Sequence, residues 1–374
     1  MGSQSKFKLT YVTFDSLYEG VGASQVLAYL KLLALNFDIT LINFEKGTPG
    51  QDLLSQMENS GIQWIALPFG KNGALGGVGR ILKMRSKIPT GSLVHARGDL
   101  AAFASLLRPS AKVIWDCRAL VADQRRAIAS QKRMTFQYLA LRTIEFIVAR
   151  QSKAIIVITN SVIPILMQRH HLKWDKFHMI STCVNLHNFK PEDIPHEDAL
   201  RVMISGTLSG AYDFETMFRL IQSLKKLTPV HVFAALSKGH TDSWKNLPID
   251  EIVSVPHSQM PELVRRMDLG LSVWKMDLGV CLASVSSTKV PEFLASGVPV
   301  VVNFNQGDIG RLVEENSCGI AIHDNSELSM EIAAKQILEL RAEGETSARC
   351  RKLATANFSL DDAVVKLGEL YKSI

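Results

Sequence analysis

The sequence predicts an α/β protein of two Rossmann-like domains facing each other across a cleft. Short β-branched runs alternate with helix-length segments through the first half, the pattern of parallel strands joined by crossover helices. That alternation stops at a proline- and acid-rich stretch and then restarts. At 374 residues the chain also exceeds what one hydrophobic core usually organises.

The first-half strands are read at 8–15, 38–45, 62–69, 93–97, 112–117 and 154–159. Between the first two, "ASQVLAYLKLLAL" puts Val26, Leu27, Leu30 and Leu33 at helical spacing, just after the turn "YEGVGAS". The linker is "NLHNFKPEDIPHEDAL". Second-half strands follow at 201–208, 230–236, 251–256, 269–275, 298–303 and 319–324. The expected domains are 1–186 and 187–357, with a C-terminal helix at 358–374 packing back toward the first domain.

Composition bounds the function. With 47% hydrophobic and 21% charged residues, the chain reads as a folded globular protein. No apolar run reaches bilayer length. The opening "MGSQSK" lacks the apolar core of a secretion signal, and a cytoplasmic location is expected. Cys117, Cys183, Cys281, Cys318 and Cys350 include no close pair, which argues against a zinc cage, a redox dithiol or a disulfide scaffold and favours small core residues. The pair His170 and His171 has no metal-ligand spacing with a carboxylate and is read as lying on a surface.

Charge is unevenly spread. Between Arg80 and Lys176 stand 18 Lys and Arg against 5 Asp and Glu, a local net of +13 in a chain of +6. Such a lobe attracts phosphates or an anionic membrane surface, and fits a peripheral protein on the inner face; a solvated basic surface would look the same. No nucleic-acid partner is expected, because no known RNA or DNA motif is present and interleaved aromatics are sparse.

The segment Ser286–Asn303, "SSTKVPEFLASGVPVVVN", is the most informative. Thr288 can cap a helix whose first turns hold Lys289 and Glu292, and Gly297 with Pro299 ends it before a buried strand. A helix start with a lysine suits a phosphate, and a glutamate one turn further in can accept hydrogen bonds from paired ribose hydroxyls. Taken alone, both residues also fit the solvent face of a structural helix.

As a whole this stretch resembles the donor-site signature of the group 1, or family 4, glycosyltransferases, which have the GT-B fold. Glu292 in "EFLASGVPVV" stands where that family's ribose-binding glutamate stands. The resemblance extends over "GVGASQVLAYLKLL", "LVHARG", "WDCRALVADQR", "CVNLHNF" and "NFNQGD", nearly the whole chain. It implies transfer of a sugar from a nucleotide-sugar donor to an acceptor hydroxyl, with retention and without a required cofactor or metal. A UDP- or GDP-sugar is favoured and a CMP-sugar is kept open; the implied acceptor is a glycan or lipid-linked carrier in surface polysaccharide assembly.

Two departures shape the carry-over. The acid that many members place eight positions before the ribose glutamate is Ser284 here. The Arg and Lys that many place after the first strand of the second domain are replaced in "SGTLSGAYD" by Thr207 and Tyr212. The donor phosphates are therefore expected to rely on Lys289, Thr288 and backbone amides around Gly206 and Thr207.

In the first domain, Asp116 and Arg118 leave a strand end, where α/β enzymes place reactive groups. Asp116 is a candidate base or acceptor ligand, and Arg118 a candidate holder of an acceptor phosphate or leaving group. His95 and Arg97 end another strand, and Asp308 follows the strand ending at Asn303. The turn carrying Gly20, Gly22 and Ser24 either brings backbone amides to a phosphate or acceptor or is simply a tight strand-to-helix turn. The alternatives to a glycosyltransferase are a nucleotide-sugar epimerase of the same architecture and a non-enzymatic basic nucleic-acid-binding protein.

Overall fold

The computed structural model describes residues 6–17, 20–128, 135–193, 198–205, 211–235 and 247–374. They fall into two compact units: Met1–Ile180 with Asp361–Ile374, and Ser181–Leu360. The division sits a few residues from the sequence boundaries, because the linker is stitched to the second unit. Val184 bridges Ser359, with Val184 N donating to Phe358 O at 2.9 Å and Leu360 N to Val184 O at 3.1 Å.

The first unit holds a seven-stranded sheet in the order β3-β2-β1-β4-β5-β6-β7. Its strands are β1 (Phe7–Thr13), β2 (Phe37–Glu45), β3 (Gln63–Pro68), β4 (Leu93–Arg97), β5 (Lys112–Cys117), β6 (Ala154–Val157) and β7 (Phe177–Met179). Every pairing is parallel, and the central strands β1, β4, β5 and β6 are buried along nearly their whole length. The sequence reading missed β7, three residues at the sheet edge, too short to show a period.

After β1 the chain enters a helical turn Gly20–Gly22, a π-helical stretch Ala23–Leu27 and an α-helix Ala28–Leu33. Gly22 has ordinary helical dihedrals, but a Cβ there would lie 2.0 Å from Ser16 O. Only glycine lets the helix lie so close to the Ser16–Leu17 segment that leads into it. The C-terminal helix Leu360–Ser373 closes the unit, burying Tyr371 edge-on against Phe37 at 5.5 Å.

The second unit holds a six-stranded parallel sheet, β10-β9-β8-β11-β12-β13, from β8 (Leu200–Ser205), β9 (Val230–Ala235), β10 (Glu251–Val253), β11 (Leu269–Ser272), β12 (Val300–Asn303) and β13 (Gly319–Ile322). One face packs on the Lys289–Ala295 helix through Phe293. A side chain at Gly270 would meet that ring at 2.4 Å, so the missing Cβ sets how closely helix and sheet approach. Gly297, at φ +78° with Ser347 and Pro191 against it, ends the helix and returns the chain to β12.

Strand order reverses between β1 and β4 in one sheet and between β8 and β11 in the other. In open parallel sheets, crevices open at the carboxyl ends of the strands that flank such a switch. All five cysteines are buried with free thiols. Among the described residues no helix is long and apolar enough to cross a membrane.

Candidate functional site

In the first unit, the strand ends gather the sequence candidates into one network. Register pairs Thr13 with Arg97 and Arg97 with Asp116, so the ends of β1, β4 and β5 lie side by side. Arg97 Nε donates to Asp15 Oδ2 at 2.7 Å, and its NH1 lies 3.5 Å from Asp116 Oδ2. His95 Nε2 is 3.4 Å from the same oxygen, while Arg118 NH1 is 3.5 Å from Asp116 Oδ1. The other ring nitrogen of His95 shares a 2.7 Å hydrogen bond with Tyr371 Oη, and Tyr11 stacks on the imidazole at 4.4 Å.

Burial and charge oppose each other here. Burial by itself would raise the Asp116 carboxyl, but Arg118, His95 and Arg97 outweigh it and hold the group well below the usual carboxylate range. For His95 burial prevails over the pull of Asp116, and the imidazole is shifted toward its neutral form. A cavity of about 20 Å3 lies among Tyr11, Gln25, His95, Arg97, Asp116 and Arg118, room for a single water. A carboxylate this firmly held is a weak proton acceptor; it is well suited to fixing two guanidinium groups in place. Asp15, 41% exposed, is the more accessible acid of the network.

Gly22 makes its close approach to this chain's own Ser16 carbonyl, which accounts for that glycine without a ligand. Gly20 opens the helical turn, and Ser24 is half-buried in the π-helical stretch. Nearby, Glu45 at the end of β2 accepts from Leu17 N at 2.9 Å and from Asn43 Nδ2 at 2.6 Å, and also binds Ser16 Oγ. These bonds tie down the segment that follows β1.

In the second unit, Lys289 and Glu292 share the first turn of a seven-residue helix. The expected Thr288 cap is not formed: the residue is already helical at φ −62° and its side chain makes no cap hydrogen bond. A helix this short has little macrodipole, so the positive charge of the site is that of Lys289. Its Nζ donates to Tyr212 Oη at 3.1 Å. Tyr212 in turn packs at a tilt against Trp274, with centroids 4.6 Å apart, and Trp274 is clamped by Asn303, which accepts from its backbone N–H at 2.7 Å and donates to its carbonyl at 3.0 Å.

Glu292 is 7% exposed. Its Oε1 lies 3.3 Å from His257 Nε2, the one hydrogen-bond partner of that carboxylate among the described residues. Ser284 sits 5% exposed, its hydroxyl donating to Cys281 O at 2.9 Å. Asp308 is half-buried ahead of the Ile309–Glu315 helix and makes no side-chain cap there. Gly206 and Thr207 lie outside the described residues. Among the described residues no group of three or more His, Cys, Asp or Glu could hold a metal ion.

Sequence reasoning did not find Asp15, Glu45, Tyr371 or His257 as members of these networks. Asp15 and Glu45 stand at or just past the ends of β1 and β2, so the strand-end rule that selected Asp116 selects them too. Nothing local marks Tyr371 or His257.

No protein-family model matches the chain, and no curated protein matches it. Solved structures do. The glycosyltransferase WaaG, involved in lipopolysaccharide biosynthesis, superposes with a TM-score of 0.71 at 13% identity over 97% of this chain and 99% of its own. Anabaena Alr3699/HepE in complex with UDP-glucose gives 0.68 at 14% identity over 98% and 100%. The UDP-N-acetylglucosamine 2-epimerase assigned in Listeria monocytogenes gives 0.62 at 13% identity over 97% and 94%. The likeness is one of fold, two Rossmann-like parallel-sheet domains in one chain.

Proposed function

From this GT-B fold we propose that the chain is a glycosyltransferase moving a sugar from a nucleotide-sugar donor to an acceptor hydroxyl, with retention of anomeric configuration. The observation that carries the reading is the donor-side arrangement of the second unit, a buried carboxylate one helical turn from a lysine, within the sequence pattern of the group 1 enzymes. Glu292 takes the ribose hydroxyls. Lys289, turned toward Tyr212, takes donor phosphate, with Thr288 and the Gly206–Thr207 backbone beside it. A UDP-sugar is the first choice, supported by the UDP-glucose complex of the Anabaena protein, ahead of GDP- and CMP-sugars.

In the first unit Arg97 and Arg118 take phosphate charge on the acceptor, and Asp116 and His95 hold them in position. Asp308 is retained as a sugar or acceptor contact of the second unit. With no carboxylate nucleophile assigned, the leaving phosphate itself helps deprotonate the acceptor on the same face of the sugar. The protein's part is then orientation and stabilisation of developing charge.

A thermal-shift screen with UDP-, GDP- and CMP-sugars tests this, since a ligand selective for the native state raises the melting temperature. A UDP-sugar should give the largest rise, several degrees at saturation. No shift with any sugar nucleotide would sink the donor site. The fold likeness to an epimerase favours a second reading, and product analysis separates the two: a transferase moves the sugar onto an added acceptor and frees the nucleotide, whereas an epimerase turns over the nucleotide sugar with no acceptor and forms no sugar–acceptor product.

The acceptor proposed is lipid-linked, at an anionic membrane. On the helix Gly73–Lys87, Ile81 and Met84 are buried, while Leu75, Val78 and Leu82 stand 90%, 54% and 55% exposed at helical spacing. Exposed Lys83, Arg85 and Lys87 flank that stripe. A cavity of about 840 Å3 between the loops after β2 and β3 reaches Phe69, Gly70 and Asn72 at the head of the helix. A basic residue near an anionic surface contributes about 1 kcal/mol, and a buried leucine about 2 kcal/mol. Flotation should show binding to phosphatidylglycerol vesicles at low salt that the double variant Leu75→Asp, Leu82→Asp loses. Equal binding of the parent to neutral and anionic vesicles would overturn it.

A further inference from the structure

The loop after β10 places an imidazole on the carboxylate assigned to the donor ribose. His257 opens a single 3-10 turn, His257–Gln259, ahead of the helix Met260–Arg265. Its ring lies 6.2 Å from that of Phe189, a residue 2% exposed whose carbonyl accepts from Arg351. The imidazole is 41% exposed, whereas the Glu292 side chain it meets is 10% exposed. One oxygen of a buried carboxylate is thus covered by a side chain that has room to leave.

Paired ribose hydroxyls bind a carboxylate best through both of its oxygens, each hydroxyl donating to one. With His257 Nε2 at 3.3 Å from Oε1, that oxygen is already engaged. We propose that His257 competes with the nucleotide ribose for Glu292, so that donor binding swings the imidazole off the carboxylate and releases its proton. The inference rests on the reading of Glu292 as the ribose acceptor and adds a pH dependence to it.

The charges around the imidazole fix the sign. The Lys289–Ala295 helix presents Glu292, and Lys289 of that helix is turned to Tyr212. The following helix presents Glu262 and Arg265, and the segment carrying Phe189 presents Glu192; Arg265 pairs with both acids, at 3.7 Å and 2.8 Å. Glu292 is the group that bears on the proton: its hydrogen bond raises the His257 pKa above the ordinary histidine value, against a smaller opposing effect of burial. Off the carboxylate, the imidazole returns toward about 6.5. Binding therefore expels a proton. Donor affinity is full above the raised pKa, falls as pH drops through it, and levels off below about 6.5, tenfold for each unit separating the two values.

Calorimetry with UDP-glucose and with GDP-mannose from pH 5.5 to 8.5 tests this, because their esterified diphosphates do not titrate in that window. Repeating the runs in buffers of different ionisation enthalpy counts the protons released. The parent should bind several-fold more weakly at the acid end and release protons at pH values between about 6.5 and the raised value, while His257→Asn should bind with no pH dependence and more tightly than the parent at pH 6. Carbon-detected titration of the His257 ring without ligand should give a raised pKa that returns to the ordinary range in Glu292→Gln. A His257→Asn variant that keeps the parental pH profile, or that binds more weakly at every pH, overturns the competition. If neither sugar nucleotide binds at any pH while the ring titration shows the Glu292 coupling, the donor assignment has failed rather than the pairing.

Discussion

Glu292→Gln is expected to weaken nucleotide binding by roughly 1–2 kcal/mol, about five- to thirtyfold in Kd, because a charged acceptor of ribose hydroxyls is replaced by a neutral amide that accepts more weakly. The Glu292 side chain is 10% exposed, so little solvent screens the loss. Lys289→Ala should behave differently. Its Nζ is held at 3.1 Å from Tyr212 Oη, off the carboxylate, and its assigned partner is phosphate. Calorimetry with nucleoside, nucleoside diphosphate and sugar nucleotide should therefore show Glu292→Gln weakening all three alike, and Lys289→Ala weakening the phosphate-bearing ligands while sparing the nucleoside. Circular dichroism must show both variants folded. Parental affinities in both would reduce the helix to a structural element and move the donor elsewhere.

The two assignments in that experiment were readable in sequence because they lie three residues apart on one helix, bracketed by a glycine stop and a buried strand. His257 was not, since its bond to Glu292 spans 35 residues and a lone histidine in a loop carries no spacing signal. Tyr371 lies farther still, 276 residues from the His95 it bonds. Tyr212 was visible only as a departure, a tyrosine where the group 1 glycosyltransferases that the sequence resembles place a cation; the structure gives it a partner in Lys289. Parallel sheets made the fold legible, because strands buried on both faces read as unbroken apolar runs. The same logic hides β7, whose three residues at an edge cannot form such a run. The π-helical stretch Ala23–Leu27 is equally silent, since one widened turn leaves the leucine spacing of the following helix intact.

Removing the Asp116 carboxylate should cost the first unit about 3–5 kcal/mol, because Asp116→Ala leaves two guanidinium groups facing each other around an emptied, buried position. Arg97 is 6% exposed and Arg118 19%, so water cannot fully replace the lost anion. For a unit of this size that is a fall in melting temperature on the order of 10 °C. Acid sensitivity should change with it. A carboxyl whose folded pKa is depressed contributes stability that is complete above its unfolded value near 4 and is lost as pH falls through the folded one. Asp116→Ala should therefore flatten the acid limb of the melting curve below about pH 4. His95 acts over a higher window: its folded pKa is lowered, so stability drops as pH falls below about 6.5, where the unfolded chain takes up the proton first. Asp116→Asn keeps shape and one acceptor, so it should destabilise less, leave donor affinity intact in the other unit, and slow sugar transfer by releasing Arg97 and Arg118 from their positions. Melting curves between pH 3 and 8, with donor titration and transfer rates on the same preparations, separate these effects. Parental melting in Asp116→Ala would show that the network holds nothing together, and parental transfer in Asp116→Asn would remove both arginines from the reaction's charge stabilisation.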